Sequence, residues 1–123
     1  MKVIDKSILI VDDVESIRES MYRIFRRIFK DCHLAENGEE ALIICENEDI
    51  DLLITDIVMP KMDGLSLIKE VKKRYPNIHP LIAITGEAST SQMDQIKDLN
   101  VRVFKKPIDV DEVEKHILDY FDL

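Results

Sequence analysis

Asp12-Asp13, Asp56, Thr85-Gly86 and Lys105-Lys106-Pro107 each follow directly on a short apolar run. Brought together, these side chains could do phosphoryl chemistry. Carboxylates sharing one cleft repel one another and need a compensating cation or a raised proton affinity. Magnesium suits them, because it prefers oxygen ligands and binds through one or two carboxylates while keeping several waters. A lysine and a hydroxyl beside such an ion favour phosphoryl transfer, which depends on positioning and on neutralising charge at the transferring oxygens. A carboxylate can itself be the nucleophile and form an acyl phosphate. Asp56 is the natural acceptor, with Lys106 able to pair with one phosphoryl oxygen and Thr85 to hydrogen-bond to another. His33, His79 and His116 are scattered without metal-ligand spacing, which disfavours zinc.

Each residue alone has an ordinary role. Asp12 or Asp13 could cap a helix, Asp56 could serve a turn before Pro60, Thr85 could end a strand, and a lysine before proline is commonly solvated. The functional reading therefore depends on the elements that would bring them together. Ser7–Val11 is an apolar run of the kind buried on both faces of a parallel sheet. Ile17, Met21, Ile24, Phe25 and Ile28 recur at helical spacing from Val14 to Phe29. Cys32–Ala35 reads as a short second strand. Asn37 with Glu40 is an N-cap pattern that opens a second helix, although Asn37-Gly38 could also make a hairpin turn. Asp51–Thr55 is the third strand, and Asp63 caps a helix from Gly64 to about Arg74. Pro76 and Pro80 bound the next loop. Leu81–Ile84, a helix near Ser89–Leu99, the strand Val101–Phe104 and a last helix opened by Asp109 and Glu112 complete the pattern. In that last helix Val113, Ile117 and Phe121 are expected to face inward.

Strands alternating with helices predict one α/β domain over residues 1–123: a flavodoxin-like, doubly wound, five-stranded parallel sheet with five helices. In such folds ligands sit beyond the carboxyl ends of the strands, where the winding reverses. With the strand order 2-1-3-4-5, the four strands bearing the polar endings are contiguous and their side chains meet in one cleft. Four such endings on adjacent strands outweigh the separate ordinary explanations.

Composition agrees with a soluble domain: 46% of residues are hydrophobic and 34% charged. The apolar runs are too short to span a bilayer, and the N-terminus lacks a signal-peptide pattern, so a cytoplasmic location without membrane insertion is expected. Seventeen basic residues against 25 acidic ones give a net charge of -8. That balance argues against nucleic acid as a direct partner, which would need a clustered positive surface. Arg18, Arg23, Arg26, Arg27 and Lys30 form one basic segment, read as a solvated helix face or as a contact for an acidic protein. Cys32 and Cys45 read as reduced thiols among apolar neighbours.

These motifs resemble those of a known family. Ile8-Leu9-Ile10-Val11-Asp12-Asp13, the run from Thr55-Asp56 through Met59-Pro60 to Asp63-Gly64, Ile84-Thr85-Gly86-Glu87 and Phe104-Lys105-Lys106-Pro107 resemble, in this order, receiver domains of two-component response regulators. The likeness runs from near Lys6 to the C-terminus. It implies that Asp56 accepts a phosphoryl group from a phosphohistidine on a sensor histidine kinase or phosphotransfer protein. It also implies that Asp13, Asp56 and the Val58 carbonyl ligate Mg2+ (or Mn2+) directly, with Asp12 acting through a metal-bound water. Lys106 matches the family lysine better than Lys105, and many receivers have a cis peptide before that proline. Such a domain would catalyse only its own phosphorylation and slow dephosphorylation. Its output would be a change in the face of helix four, strand five and helix five, read by a downstream protein or output domain. The first helix, with Ile17, Met21 and their basic neighbours, would lie beside the docked phosphodonor.

In many receivers an aromatic residue stands three positions before the lysine; here that position is Val103, which argues against an aromatic switch. Val58 and Glu87 occupy positions that tune the lifetime of the phosphorylated form, and Val58 cannot orient a hydrolytic water through a polar group, so longer persistence is expected. Three other readings compete. A phosphorylation-independent interaction module would not need the complete acceptor set. A haloacid-dehalogenase-type phosphatase would need Asp-x-Asp where the chain has Asp12-Asp13-Val14. A flavodoxin-like cofactor domain would need a glycine-rich loop after strand one, where none of the three glycines lies.

Overall fold

The computed structural model describes residues 3–86 and 89–123. Ten elements alternate: β1 (Ile4–Val11), α1 (Glu15–Phe25), β2 (Phe29–Ala35), α2 (Gly38–Asn47), β3 (Leu52–Asp56), α3 (Gly64–Arg74), β4 (Leu81–Thr85), α4 (Thr90–Asp98), β5 (Arg102–Lys105) and α5 (Val110–Phe121). All four strand pairings are parallel, and the sheet order is β2-β1-β3-β4-β5. The winding reverses between β1 and β3, so a cleft opens there at the carboxyl rim.

Side-chain alternation along the strands divides the core into two layers. Ile8, Ile10, Ile54 and Ile82 pack with Phe25, Val113 and Ile117 on the face covered by α1 and α5. Leu9, Val11, Leu53 and Ala83 pack with Ala41, Leu67, Ile68 and Ile96 on the face covered by α2, α3 and α4. Every residue of β3 and β4 is buried, which is why those strands are apolar without alternation until their last polar residues.

The helix starts follow the expected chemistry. Asn37 Oδ1 accepts from Glu40 N, so Asn37-Gly38 opens α2 rather than a hairpin. Asp63 Oδ1 accepts from Ser66 N, Ser89 and Gln92 form a reciprocal capping box, and Asp109 Oδ1 accepts from Asp111 N. No described helix is long and apolar enough to cross a membrane.

One boundary differs from the expectation. The helical period through Ile28 outruns the helix, which ends at Phe25, and β2 begins at Phe29 rather than Cys32. Arg27 N and Ile28 N bond back to Ile24 O and Phe25 O in a tight turn. Ile28 and Phe29 are still buried, with the Phe25 and Phe29 rings 6.0 Å apart, because the chain folds under the sheet there and keeps its apolar face inward. Phe121 is only partly buried, with the Lys6 ammonium 4.9 Å above its ring.

The loop after β3 is fixed by contact between backbones. Gly64 N donates to Ile57 O at 2.8 Å, and a Cβ at Gly64 would lie 1.9 Å from the Asp56 carbonyl oxygen. No rotamer change relieves an overlap with backbone, so Gly64→Ala is expected to lower the urea-unfolding free energy by about 1–3 kcal/mol or more. A wild-type midpoint for that variant would contradict the close packing.

Candidate functional site

Four rim loops bring the polar endings together. One carboxylate oxygen from each of Asp12, Asp13 and Asp56 lies within 4.8 Å of the others. Asp12 is fully buried, Asp56 is 7% exposed, and Asp13 faces solvent. Asp56 Oδ1 accepts from Ile57 N at 2.7 Å and Oδ2 accepts from Lys106 Nζ at 2.8 Å. The same ammonium lies 3.3 Å from Asp12 Oδ2, while Asp12 Oδ1 accepts from Val14 N at 2.9 Å. At 3.3 Å that contact is an ion pair, and among the described residues Asp12 Oδ2 is a buried oxygen without a well-formed hydrogen bond.

Burial, together with the Asp56 charge, raises the Asp12 pKa above its ordinary value, against the opposing Val14 amide and Lys106 ammonium. For Lys106 burial favours the neutral amine, but the hydrogen bond to Asp56 and the charge of Asp12 outweigh it, and its pKa is raised. The lysine is therefore a held cation.

Thr85 is buried at the end of β4, one residue past the Ile84–Asp56 pairing, and its carbonyl accepts from Lys106 N at 2.8 Å. The Lys106–Pro107 peptide is cis. Lys105 is exposed, whereas Lys106 enters the cleft. Val58 lines that cleft with Asp13, Val14, Ile17 and Asp56, its side chain 42% exposed. A Cβ at Gly86 would touch the Lys106 side chain at an ordinary 3.5 Å, so glycine is not sterically required there. Glu87 lies outside the described residues. Val103 is half-buried against the core layer that holds Ile96 of α4.

The arrangement fits a hard divalent cation. The donors are all oxygen, they crowd at one rim, and one buried oxygen has no well-formed hydrogen bond from a described residue. Elsewhere, burial pushes the Cys32 thiol up to about 12 and the Cys45 thiol up to about 11, so both are poor nucleophiles. Sequence reading missed one connection: Arg18 Nη1 donates to the Asp12 carbonyl at 2.8 Å. Its only sequence signal was a cation in the first turn of a helix.

Residues 8–118 match the family model described as the response regulator receiver domain. The chain belongs to this family. As a receiver domain it is 32% identical over 122 residues to sporulation initiation phosphotransferase F of Bacillus subtilis, covering 98% of each chain. It is 34% identical over 116 residues to the transcriptional regulator NtrC of Salmonella typhimurium, covering 90% of this chain but 24% of that protein. Among solved structures it is similar to a CheY-like receiver protein of Methanospirillum hungatei, with a TM-score of 0.86 and 29% identity over 97% of this chain and 95% of that one. It also resembles a chain in the CheX–CheY–BeF3–Mg complex of Borrelia burgdorferi, with a TM-score of 0.83 and 28% identity over 96% of this chain and 90% of that one.

The raised Asp12 pKa means that folding disfavours the charged form, so the folded state holds the proton more tightly than the unfolded one. The penalty is full at neutral pH and fades as pH falls through the folded pKa toward the ordinary carboxylate value of 3.8. In chelator at pH 7, Asp12→Asn is thus expected to raise the urea midpoint, with the gain shrinking at lower pH. An unchanged or lowered midpoint at pH 7 would refute this account of the crowding.

Proposed function

We propose that this receiver domain takes a phosphoryl group on Asp56 from a phosphohistidine, with Mg2+ bound in the same cleft. The observation that carries the reading is the buried Asp56 carboxylate, 2.8 Å from the Lys106 ammonium and sharing its rim with Asp12 and Asp13. Receiver domains bind Mg2+ at such an acidic pocket, and the similar Borrelia complex contains the ion.

In the proposed reaction an Asp56 carboxylate oxygen attacks phosphorus. The new O–P bond forms as the N–P bond breaks, and the electron pair leaves with the imidazole. Lys106 turns from the Asp56 oxygen to the phosphoryl oxygens, and Thr85 donates to another. Asp13, Asp56 and the Val58 carbonyl would hold the cation, with Asp12 reaching it through water; the ion supplies charge neutralisation at the phosphoryl oxygens. Aspartyl-phosphate hydrolysis would be slow, because Val58 has no polar group to orient a water.

Homologues imply kinase and output partners in general. A phosphodonor helix is proposed to seat in the groove of about 610 Å³ lined by Ile17, Met21, Ile24, Ile84, Pro107 and Ile108. Arg23 and Arg27 flank this groove and would meet acidic residues. The α4-β5-α5 face would signal to a downstream protein or output domain, with Val103 precluding an aromatic switch. Residues 1–123 are proposed as one cytoplasmic receiver unit. A phosphorylation-independent interaction module is not favoured, since the acceptor, acidic residues and lysine all meet.

Incubation with acetyl phosphate and Mg2+ should add the mass of one phosphoryl group to the intact chain. The gain should vanish in Asp56→Asn and when Mg2+ is removed; equal labelling of that variant would place the acceptor elsewhere. Val58→Asn should accelerate loss of the label at least severalfold, followed by mass after the donor is removed. An unchanged or slower loss would dismiss Val58 as the cause of persistence.

A further inference from the structure

Arg18 occupies an electrostatically awkward position. It is in the first turn of α1, where the helix dipole favours an anion over a cation. Among the described residues no carboxylate forms an ion pair with it. Its half-buried side chain instead crosses back to the preceding loop, where Nη1 donates to the Asp12 carbonyl at 2.8 Å.

That bond completes a set of ties on one residue. Asp12 N donates to Ala35 O at 3.1 Å, Asp12 Oδ1 accepts from Val14 N at 2.9 Å, and the Asp12 carbonyl accepts from Arg18. The neighbouring Asp13 is held differently. Its carboxylate is exposed, and no hydrogen bond or ion pair to a described residue fixes it. Its direction follows from its backbone, and the peptide plane leading into that backbone begins at the carbonyl that Arg18 grips. The helix entry adds no side-chain cap bond, its N-cap being Val14, so the ties across Asp13 are the Asp12 Oδ1–Val14 N bond and the Arg18 bond to the Asp12 carbonyl.

We propose that Arg18 is a positioning residue for the cation site: by fixing the Asp12 carbonyl it aims the Asp13 carboxylate into the cleft. The inference rests on the reading of Asp13 as a direct Mg2+ ligand. A charge-assisted hydrogen bond is about twice as strong as a neutral one, so a guanidinium holds an exposed loop better than a hydroxyl or amide would. A ligand oriented in advance loses less freedom when the ion binds. Outer partners that orient metal ligands typically account for about 10–100-fold in affinity.

The test is calorimetric titration of the intact, metal-free chain with Mg2+ alone, for wild type, Arg18→Met and Arg18→Lys, with urea midpoints measured in chelator. Met keeps the apolar stem and removes the donor; Lys restores one donor without the fork. The dissociation constant should rise about tenfold in Arg18→Met and recover in part in Arg18→Lys. The chelator midpoint should stay close to wild type in both. Binding by Arg18→Met within about twofold of wild type would overturn the assignment, since orienting partners act by larger factors. So would weaker binding that only tracks a fallen midpoint and is not rescued by lysine, which marks a purely structural bond. A wild-type chain that takes up no Mg2+ would instead bring down the proposed function, and this inference with it; the wild-type titration alone reveals that failure.

Discussion

Two carboxylates packed side by side at a sheet rim, one of them fully buried, lose hydration and repel each other. In this receiver domain a single ammonium, Lys106, stands between Asp56 and Asp12 at 2.8 and 3.3 Å. The compensation is incomplete: among the described residues Asp12 Oδ2 has no well-formed hydrogen bond, the Asp12 pKa is raised, and a third carboxylate, Asp13, stands at the cleft mouth. A site left locally deficient in positive charge responds strongly to any cation that binds it, because the gain is largest where repulsion is least relieved. Much of the surrounding structure keeps those charges together instead of letting them relax apart.

The restraint comes from backbone more than from side chains. Asp12 and Lys106 lie far apart in the chain, yet each sits at the end of a strand whose register is fixed by parallel pairing within one sheet. The loops that follow cannot drift. Gly64 presses its Cα against the Asp56 carbonyl, Gly38 N donates to Met62 O, and Asp12 N donates to Ala35 O. Because β3 and β4 are buried on both faces, moving Asp56 or Thr85 outward would drag apolar side chains toward water. Burial of the strands thus holds crowded charges that would otherwise separate.

This division of labour explains what was legible in the sequence. Strands buried on both faces appear as apolar runs, so the polar residues that close them mark the rim: Asp12 after β1, Thr55-Asp56 in β3 and Thr85 in β4, whereas β5, partly exposed and carrying Arg102, was marked by its Lys105-Lys106-Pro107 ending. Helix starts were legible because Asn37, Asp63, Ser89 and Asp109 cap through their own side chains. The end of α1 was not. Ile28 and Phe29 are as buried in a turn and an edge strand as they would be in a helix, and periodicity alone does not distinguish these. The Arg18 bond was equally hidden, since its acceptor is a main-chain carbonyl and every residue has one.

The cleft and the groove beside α1 are not independent. Ile17 and Lys106 line both, so a helix seated against Ile24 and Ile108 would lie next to the ammonium that pairs with Asp56. On the proposed reading, docking there would exclude water around Lys106 and strengthen its charge interactions as the donor phosphorus approaches. The same lysine bonds through its backbone N to the Thr85 carbonyl, and Thr85 ends the strand that leads to α4. The β5 side chain that packs in the layer of α4 is Val103, not an aromatic residue, while Phe104 packs in the opposite layer. On the proposed reading, the phosphorylated state is then reported through what is already connected: Lys106 releasing Asp56 for the phosphoryl oxygens, while its main-chain bond to Thr85 ties the ends of β4 and β5 together.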